Sequence, residues 1–302
     1  MVWHPNHYPM ATTLLTLLGI AQDGGVPQAG CTKSCCMNEF GGPTRTRYPV
    51  ALGITASEGS RHLVEASHSL SSQLILWSSS DGKPIDQVDS LWLTHAHLGH
   101  IDGLGQFGRE AWGPKGISLH ASKSMIELIS NNSLLNPLFS NDHLTPLEYI
   151  SGEEVELSET LKITPIRVPH RDEHSDTHAF LIHGTQKRLL FLPDHDSWEE
   201  TLNLHSVNDP LSWFRSLFVD VVLLDGTFWS GDELDGNARK IGHPPVEDTL
   251  ELLGRRKPDD PRVIFFHFNH TNPLHEEASA ETAKVRAMGW EVARQPMTFT
   301  LE

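Results

Sequence analysis

Leu91-Trp-Leu-Thr-His95-Ala-His97-Leu-Gly99-His100-Ile-Asp102-Gly-Leu-Gly105 is the stretch on which the reading of this 302-residue chain turns. It opens with a short apolar run at residues 91–93 that fits a buried strand. Three histidines then fall within six residues. On an extended segment His95 and His97, two apart, point the same way and can grip one ion. His100 follows a glycine and opens the next element, so it approaches from the side. Neutral imidazole suits zinc, iron, copper or nickel. A lone histidine here would read as a surface loop residue. Three at this spacing, at a strand end, point to a metal.

The same arrangement recurs downstream. Residues 161–168 alternate as a strand and lead to Pro169-His170, residues 188–192 lead to Pro193-Asp194, and residues 262–266 lead to His267-Phe-Asn-His270. A sheet with these strand ends on one edge gathers His95, His97, His170, Asp194 and His267 into one cluster. His267 directly follows its strand and is favoured as the late ligand. His270 is the rival; an offset of three puts it on the opposite face, so it is expected behind the ligands. His243, before Pro244, is expected to touch substrate or metal. Asp225, after the apolar run 219–224, is expected to orient a ligand histidine. Asp194 and Asp102 are the candidate proton acceptors for catalysis.

Cys31, Cys35 and Cys36 form a second local group. They can supply most of a structural zinc site with a fourth ligand from elsewhere, or they are a set of partly buried thiols. An odd, local set is a poor disulfide framework, so a reducing, cytoplasmic setting is expected.

Lys and Arg number 23 and Asp and Glu 39, for a net charge of −16. That field repels phosphate backbones and argues against nucleic acid as a partner, while leaving room for one small anion in a local pocket. No apolar run reaches the roughly eighteen residues of a membrane span, and no membrane association is expected. Further strands are expected at 12–20, 48–56, 62–66, 117–120 and 178–183, with one closing strand at 290–300. Helices are expected at 67–77, 102–112, 122–130 with Ser122 as cap, 246–253 and 282–288. With no repeat or linker, residues 1–302 read as a single domain with residues 1–11 as an N-terminal extension.

The histidine stretch resembles the His-x-His-x-Asp-His signature of the metallo-β-lactamase superfamily, with Gly99 where that family has Asp. Gly19-Ile-Ala-Gln-Asp-Gly-Gly-Val-Pro-Gln28, Asp225-Gly-Thr-Phe-Trp229 and His267-Phe-Asn-His-Thr-Asn-Pro-Leu274 are similar to the pyrroloquinoline quinone biosynthesis protein B family. The resemblance implies an α/β (α+β) fold, the αβ/βα sandwich of two mixed sheets flanked by helices. It places a first metal on His95, His97 and His170, a bridging carboxylate at Asp194, and a second metal on His100 and His267. It further implies a metal-dependent hydrolase acting on a small ester, lactone, phosphodiester or amide. Its alternatives are an iron-dependent oxidoreductase and a degenerate, non-catalytic metal-binding member. Zinc is the first expectation for the cofactor, with iron or manganese as alternatives, and a small molecule is the expected substrate. Glycine at position 99 leaves the second position one anion short. One tightly held metal is therefore expected, with a second site weak or empty that a Gly99→Asp variant would strengthen.

Overall fold

Strand alternation decides how this chain divides its core. The computed structural model describes residues 12–38, 42 and 45–302, so the expected extension at 1–11 lies outside the described residues. β1 (Leu14–Gly19), β2 (Ala51–Thr55), β3 (Arg61–Val64), β4 (Ser90–Trp92), β5 (Ile117–Ala121) and β6 (Leu144–Glu148) build a first sheet. β7 (Val155–Glu156), β8 (Lys162–Val168), β9 (Thr177–His183), β10 (Arg188–Leu192), β11 (Val221–Asp225), β12 (Arg262–Phe266) and β13 (Glu291–Val292) build a second. β14 (Met297–Thr300) returns to the first sheet beside β1.

Along β1 to β4, Leu15, Leu17, Leu52, Ile54, Val64 and Trp92 pack in one cluster with Ile163, Phe180 and Phe191 of the second sheet. Their neighbours Ala51, Leu63 and Leu91 point the other way. These join Leu70 and Trp77 of the helix Leu70–Asp81 and Met125 and Ile129 of the helix Lys123–Asn131. This is the period of two expected of strands buried on both faces. Trp77 lies so close that a Cβ at Gly53 would meet its ring at 2.6 Å. The second sheet is covered on its outside by the helix Val246–Leu253, through Val246, Leu250 and Leu253. Two mixed sheets flanked by helices are therefore present, as the sequence implied.

Two local expectations are corrected, and one strand is added. The helix expected at 102–112 starts earlier, as the single turn Leu98–Ile101 followed by a 3-10 turn at Leu104–Phe107. The closing strand at 290–300 is two strands in different sheets, β13 beside β12 and β14 beside β1. β6 escaped the sequence reading because four of its five residues are exposed and it contains Pro146, both features of an edge strand. Ser122 does cap its helix, its hydroxyl accepting from the Met125 amide. Among the described residues no helix is long and apolar enough to cross a membrane.

Candidate metal centre

The pairing pattern brings the chemistry to one edge. β1 runs antiparallel to β2 and β2 to β3, so β1 and β3 share a direction, and β4 is parallel to β3. In the second sheet β8 and β10 share a direction through β9, and β11 and β12 are parallel to β10. The C-terminal ends of β1, β3, β4, β8, β10, β11 and β12 deliver Asp23, Glu65, His95 to His100, His170, Asp194, Asp225 and His267. Backbone bonds tie the two edges together: Gln22 donates to the Phe268 carbonyl, Phe268 to that of Ile20, and His178 to that of Thr94.

The ring nitrogens converge. His97 Nδ1 lies 2.8 Å from His95 Nε2 and 3.2 Å from His170 Nε2. One Asp194 oxygen is 3.5 Å from His170 Nε2, and the other is 3.4 Å from His100 Nε2 and 3.7 Å from His267 Nε2. His243 Nε2 is 3.9 Å from Asp194. The cluster is buried except toward Asp23 and His97, whose side chains are 38% and 13% exposed.

The outer nitrogens explain why the inner ones are bare. Thr94 donates its hydroxyl proton to Glu65 at 2.5 Å, so it accepts from His95 Nδ1–H at 2.9 Å. Asp196 accepts from His170 Nδ1–H at 3.1 Å, and Glu173 faces His97 Nε2 at 3.5 Å. Thr227 donates to Asp225 at 2.7 Å and accepts from His267 Nδ1–H at 2.9 Å. Asp225 also accepts from His243 Nδ1–H at 2.7 Å. The protons of His95, His170, His243 and His267 are thus committed outward, and the inner nitrogens of those rings present lone pairs. Nε2 of His100, His243 and His267 and one Asp194 oxygen are buried without a hydrogen-bond partner. Lone pairs crowded about 3 Å apart repel unless a cation sits among them, so this donor set fits a metal ion.

Electrostatics agree for His95, His97, His267 and Asp194, and His100 alone is held in its charged form by the carboxylates around it. Burial, helped by neighbouring imidazoles, pushes His95 well below its usual range, His97 to about 4 and His267 to about 3. Burial pushes the Asp194 carboxyl up to about 7. Burial also opposes charge on His100, yet Asp194 and Glu65 outweigh it and raise that ring well above its usual range. Neutral imidazoles are ready ligands, and a buried carboxylate gains most from a cation beside it. The backbone is strained here too: Glu65 and His267 adopt φ of 69° and 62°, conformations that cost about 1–3 kcal/mol each and concentrate at functional sites.

Three sequence expectations change, and one further residue joins the site. The space that a side chain at position 99 would fill is taken by Asp23: a Cβ on Gly99 would lie 2.3 Å from Asp23 Cα and 2.4 Å from its Oδ1. Asp23 Oδ1 is 3.5 Å from His100 Nε2, so position 99 does not leave this side of the cluster short of a carboxylate, and a Gly99→Asp side chain would collide with Asp23. Burial would raise the Asp23 carboxyl, but His100 beside it holds it below the ordinary range. Asp102 stands two residues past His100 at the end of a helical turn, about 200° around it, and faces His68 at 3.1 Å rather than the cluster. His270 turns away from the histidines to the cysteines. Glu65, missed in the sequence, holds His95 through Thr94 and lies 3.2 Å from His100 Nδ1. Both Asp23 and Glu65 follow strand ends, the rule that found the other residues.

Cys31, Cys35, Cys36 and His270 form the second group. Cys31 and Cys35 sulfurs are 3.7 Å apart, Cys35 and Cys36 sulfurs 4.0 Å, and His270 Nδ1 is 3.4 Å from both Cys35 and Cys36. Tetrahedral zinc with 2.3 Å bonds to sulfur sets its ligands roughly 3.8 Å apart, so this set fits zinc. Burial and the Cys31 thiol beside it push the Cys35 thiol up to about 12, a penalty on the thiolate that a cation removes.

A fold with a histidine–carboxylate cluster along one edge of two facing sheets defines a class, and this chain belongs to it: the β-lactamase superfamily domain matches residues 60–268. Within that class the chain is similar to coenzyme PQQ synthesis protein B. The protein of Xanthomonas axonopodis pv. citri is 26% identical, covering 95% of this chain and 99% of its own length. That of Methylobacterium sp. is 28% identical, covering 94% and 99%. Among solved structures, zinc-bound PqqB from Methylobacterium extorquens aligns with a TM-score of 0.75 at 22% identity, over 95% of this chain and 99% of that one. A diphosphatase of the PhnP family aligns at 0.66 with 18% identity, over 96% and 98%.

Proposed function

We propose that this protein is a metal-dependent hydrolase of a small anionic molecule. The observation that carries the reading is the set of buried, unpartnered donor atoms on His100, His243, His267 and Asp194, beside the close-set ring nitrogens of His95, His97 and His170. His95, His97 and His170 would hold one ion, with Asp194 facing it. What zinc or a similar dication supplies in such a site is a water acidified to a pKa of about 7 and polarisation of a carbonyl or phosphoryl oxygen.

The chain's own residues do the rest. Asp225 holds His243 with Nε2 aimed at Asp194, where the ring can take up a proton or deliver one to a leaving group. Arg171 sets its guanidinium 3.5 Å from His97 Nδ1 with its Nε buried and unpartnered, and among the described residues it forms no ion pair. A guanidinium so placed favours a phosphodiester or a carboxylate-bearing ester over a neutral lactone. The core shared by both sheets supports reading the chain as one domain.

Elemental analysis of untagged protein with a panel of phosphodiesters, esters and lactones tests this. Hydrolysis should vanish on chelation and return with added zinc or manganese; hydrolysis that survives complete metal removal overturns it. The likeness to coenzyme PQQ synthesis protein B over 95% of the chain supports a second reading, an iron-dependent oxidation of a small biosynthetic molecule. Nitrogen and carboxylate donors serve iron as well as zinc. Bound iron with oxygen consumption, and no hydrolysis, would favour that reading.

A further inference from the structure

We infer that Asp23, from the loop after β1, is the carboxylate of a second metal position completed by His100, His267 and the shared Asp194. The inference rests on the reading that the histidine cluster binds metal and adds to it the number of ions and an unexpected ligand. Three observations carry it. Asp23, His100 and His267 each bring one donor atom within 4.8 Å of the other two, with Asp23 Oδ1 3.5 Å from His100 Nε2, so one ion can reach all three. Nε2 of both rings is buried with no other partner, and the Asp194 oxygen facing them is equally orphaned. Gly99 is the cradle that lets the aspartate in, because any Cβ there would strike Asp23 at its backbone.

Gly99 is therefore needed for space, not for an unusual backbone, since its φ does not lie in the left-handed region. The loop is fixed where it enters: Ile20 accepts from Phe268, Gln22 donates to Phe268, and Gly25 closes a turn onto Gln22 at 2.8 Å. This ties Asp23 to the residue next to His267, so the carboxylate and the ring are positioned by the same backbone contact. Two nitrogens and two carboxylate oxygens make a set for zinc, manganese or iron. Asp194 turns one oxygen to each half of the cluster, the arrangement that lets a single carboxylate serve two ions.

Zinc per chain, measured on apo-protein refilled with zinc alone and desalted, tests the assignment. Wild type should hold three ions, two in the histidine cluster and one on the cysteines. Asp23→Asn, which keeps the shape, should hold two. Gly99→Ala, which leaves the carboxylate intact but pushes its loop away, should also hold two. A thermal melt confirms that both variants are folded, and a Cys36→Ser background subtracts the cysteine ion. Three ions in a folded Asp23→Asn protein, at unchanged affinity, would overturn the inference. So would two in wild type with no change in either variant, which would leave the hydrolase reading standing with one ion. Wild type holding only the cysteine ion would instead remove the hydrolase reading itself.

Discussion

The cysteine group and the histidine–carboxylate group are built in opposite ways. Cys31, Cys35 and Cys36 come from one short loop, and His270 closes the set, so all four positions around an ion held there would belong to the protein. A closed tetrahedral site has no place for substrate and serves to pin chain segments together. The other group draws donors from loops that range from Asp23 to His267, and it meets solvent beside Asp23 and His97. Its outer nitrogens are held by a ring of acceptors, Thr94, Glu173, Asp196, Thr227 and Asp225. The first group ties the β1 loop to the segment after β12. The second holds an array of lone pairs open on one side, which is the geometry chemistry requires.

The sharpest division between the two comes from His97→Ala. Hydrolysis should fall on the order of a thousandfold, about 4 kcal/mol of barrier, with the cluster's metal content reduced and the melting temperature moved by only a few degrees. Unchanged metal content would place the site elsewhere. Cys36→Ser should do the reverse. A loss of roughly 3 kcal/mol in stability is expected, read by calorimetry, with the histidine cluster still metal-loaded; an unchanged melt would reduce the cysteines to partly buried thiols.

Smaller effects probe the supports. Asp225→Asn leaves the volume unchanged but weakens the hold on His243 and, through Thr227, on His267, so metal affinity or rate should drop about 10–100-fold. Arg171→Met should raise KM for anionic substrates by about tenfold with little change for neutral ones, the value of one charge-assisted hydrogen bond; equal effects on both would deny it a part in substrate choice. Asp102→Asn should change the rate by less than about twofold, since its partner is an exposed His68. A large loss there would restore it as a proton acceptor.

Much of this was legible in the sequence because it is short-range. The spacing of His95 and His97, the apolar runs before His170, Asp194 and His267, and the alternation at 161–168 depend only on strand period and on where a strand stops. The offset of three between His267 and His270 separated them as expected; only the destination of His270 was hidden. Failures came where the decisive neighbour is distant in the chain. Residues 290–300 read as one strand because both halves are β-prone, and only pairing partners showed that they belong to different sheets. Asp102 looked available from its place beside His100, but the helical turn faces it outward.

Asp23 and Gly99 draw the boundary most clearly. The sequence by itself determined the strand ends and their donor types, since these follow from local periodicity and from what imidazole and carboxylate can bind, and the resemblance of its motifs implied the class of fold. It also showed that position 99 carries no side chain. What fills that gap was decided only in three dimensions, where the loop after β1 and the turn after β4 are pressed together by two sheets whose strand ends share an edge. A Cβ-sized space is a property of that packing, and seventy-five residues of chain lie between the glycine and the aspartate that occupies it.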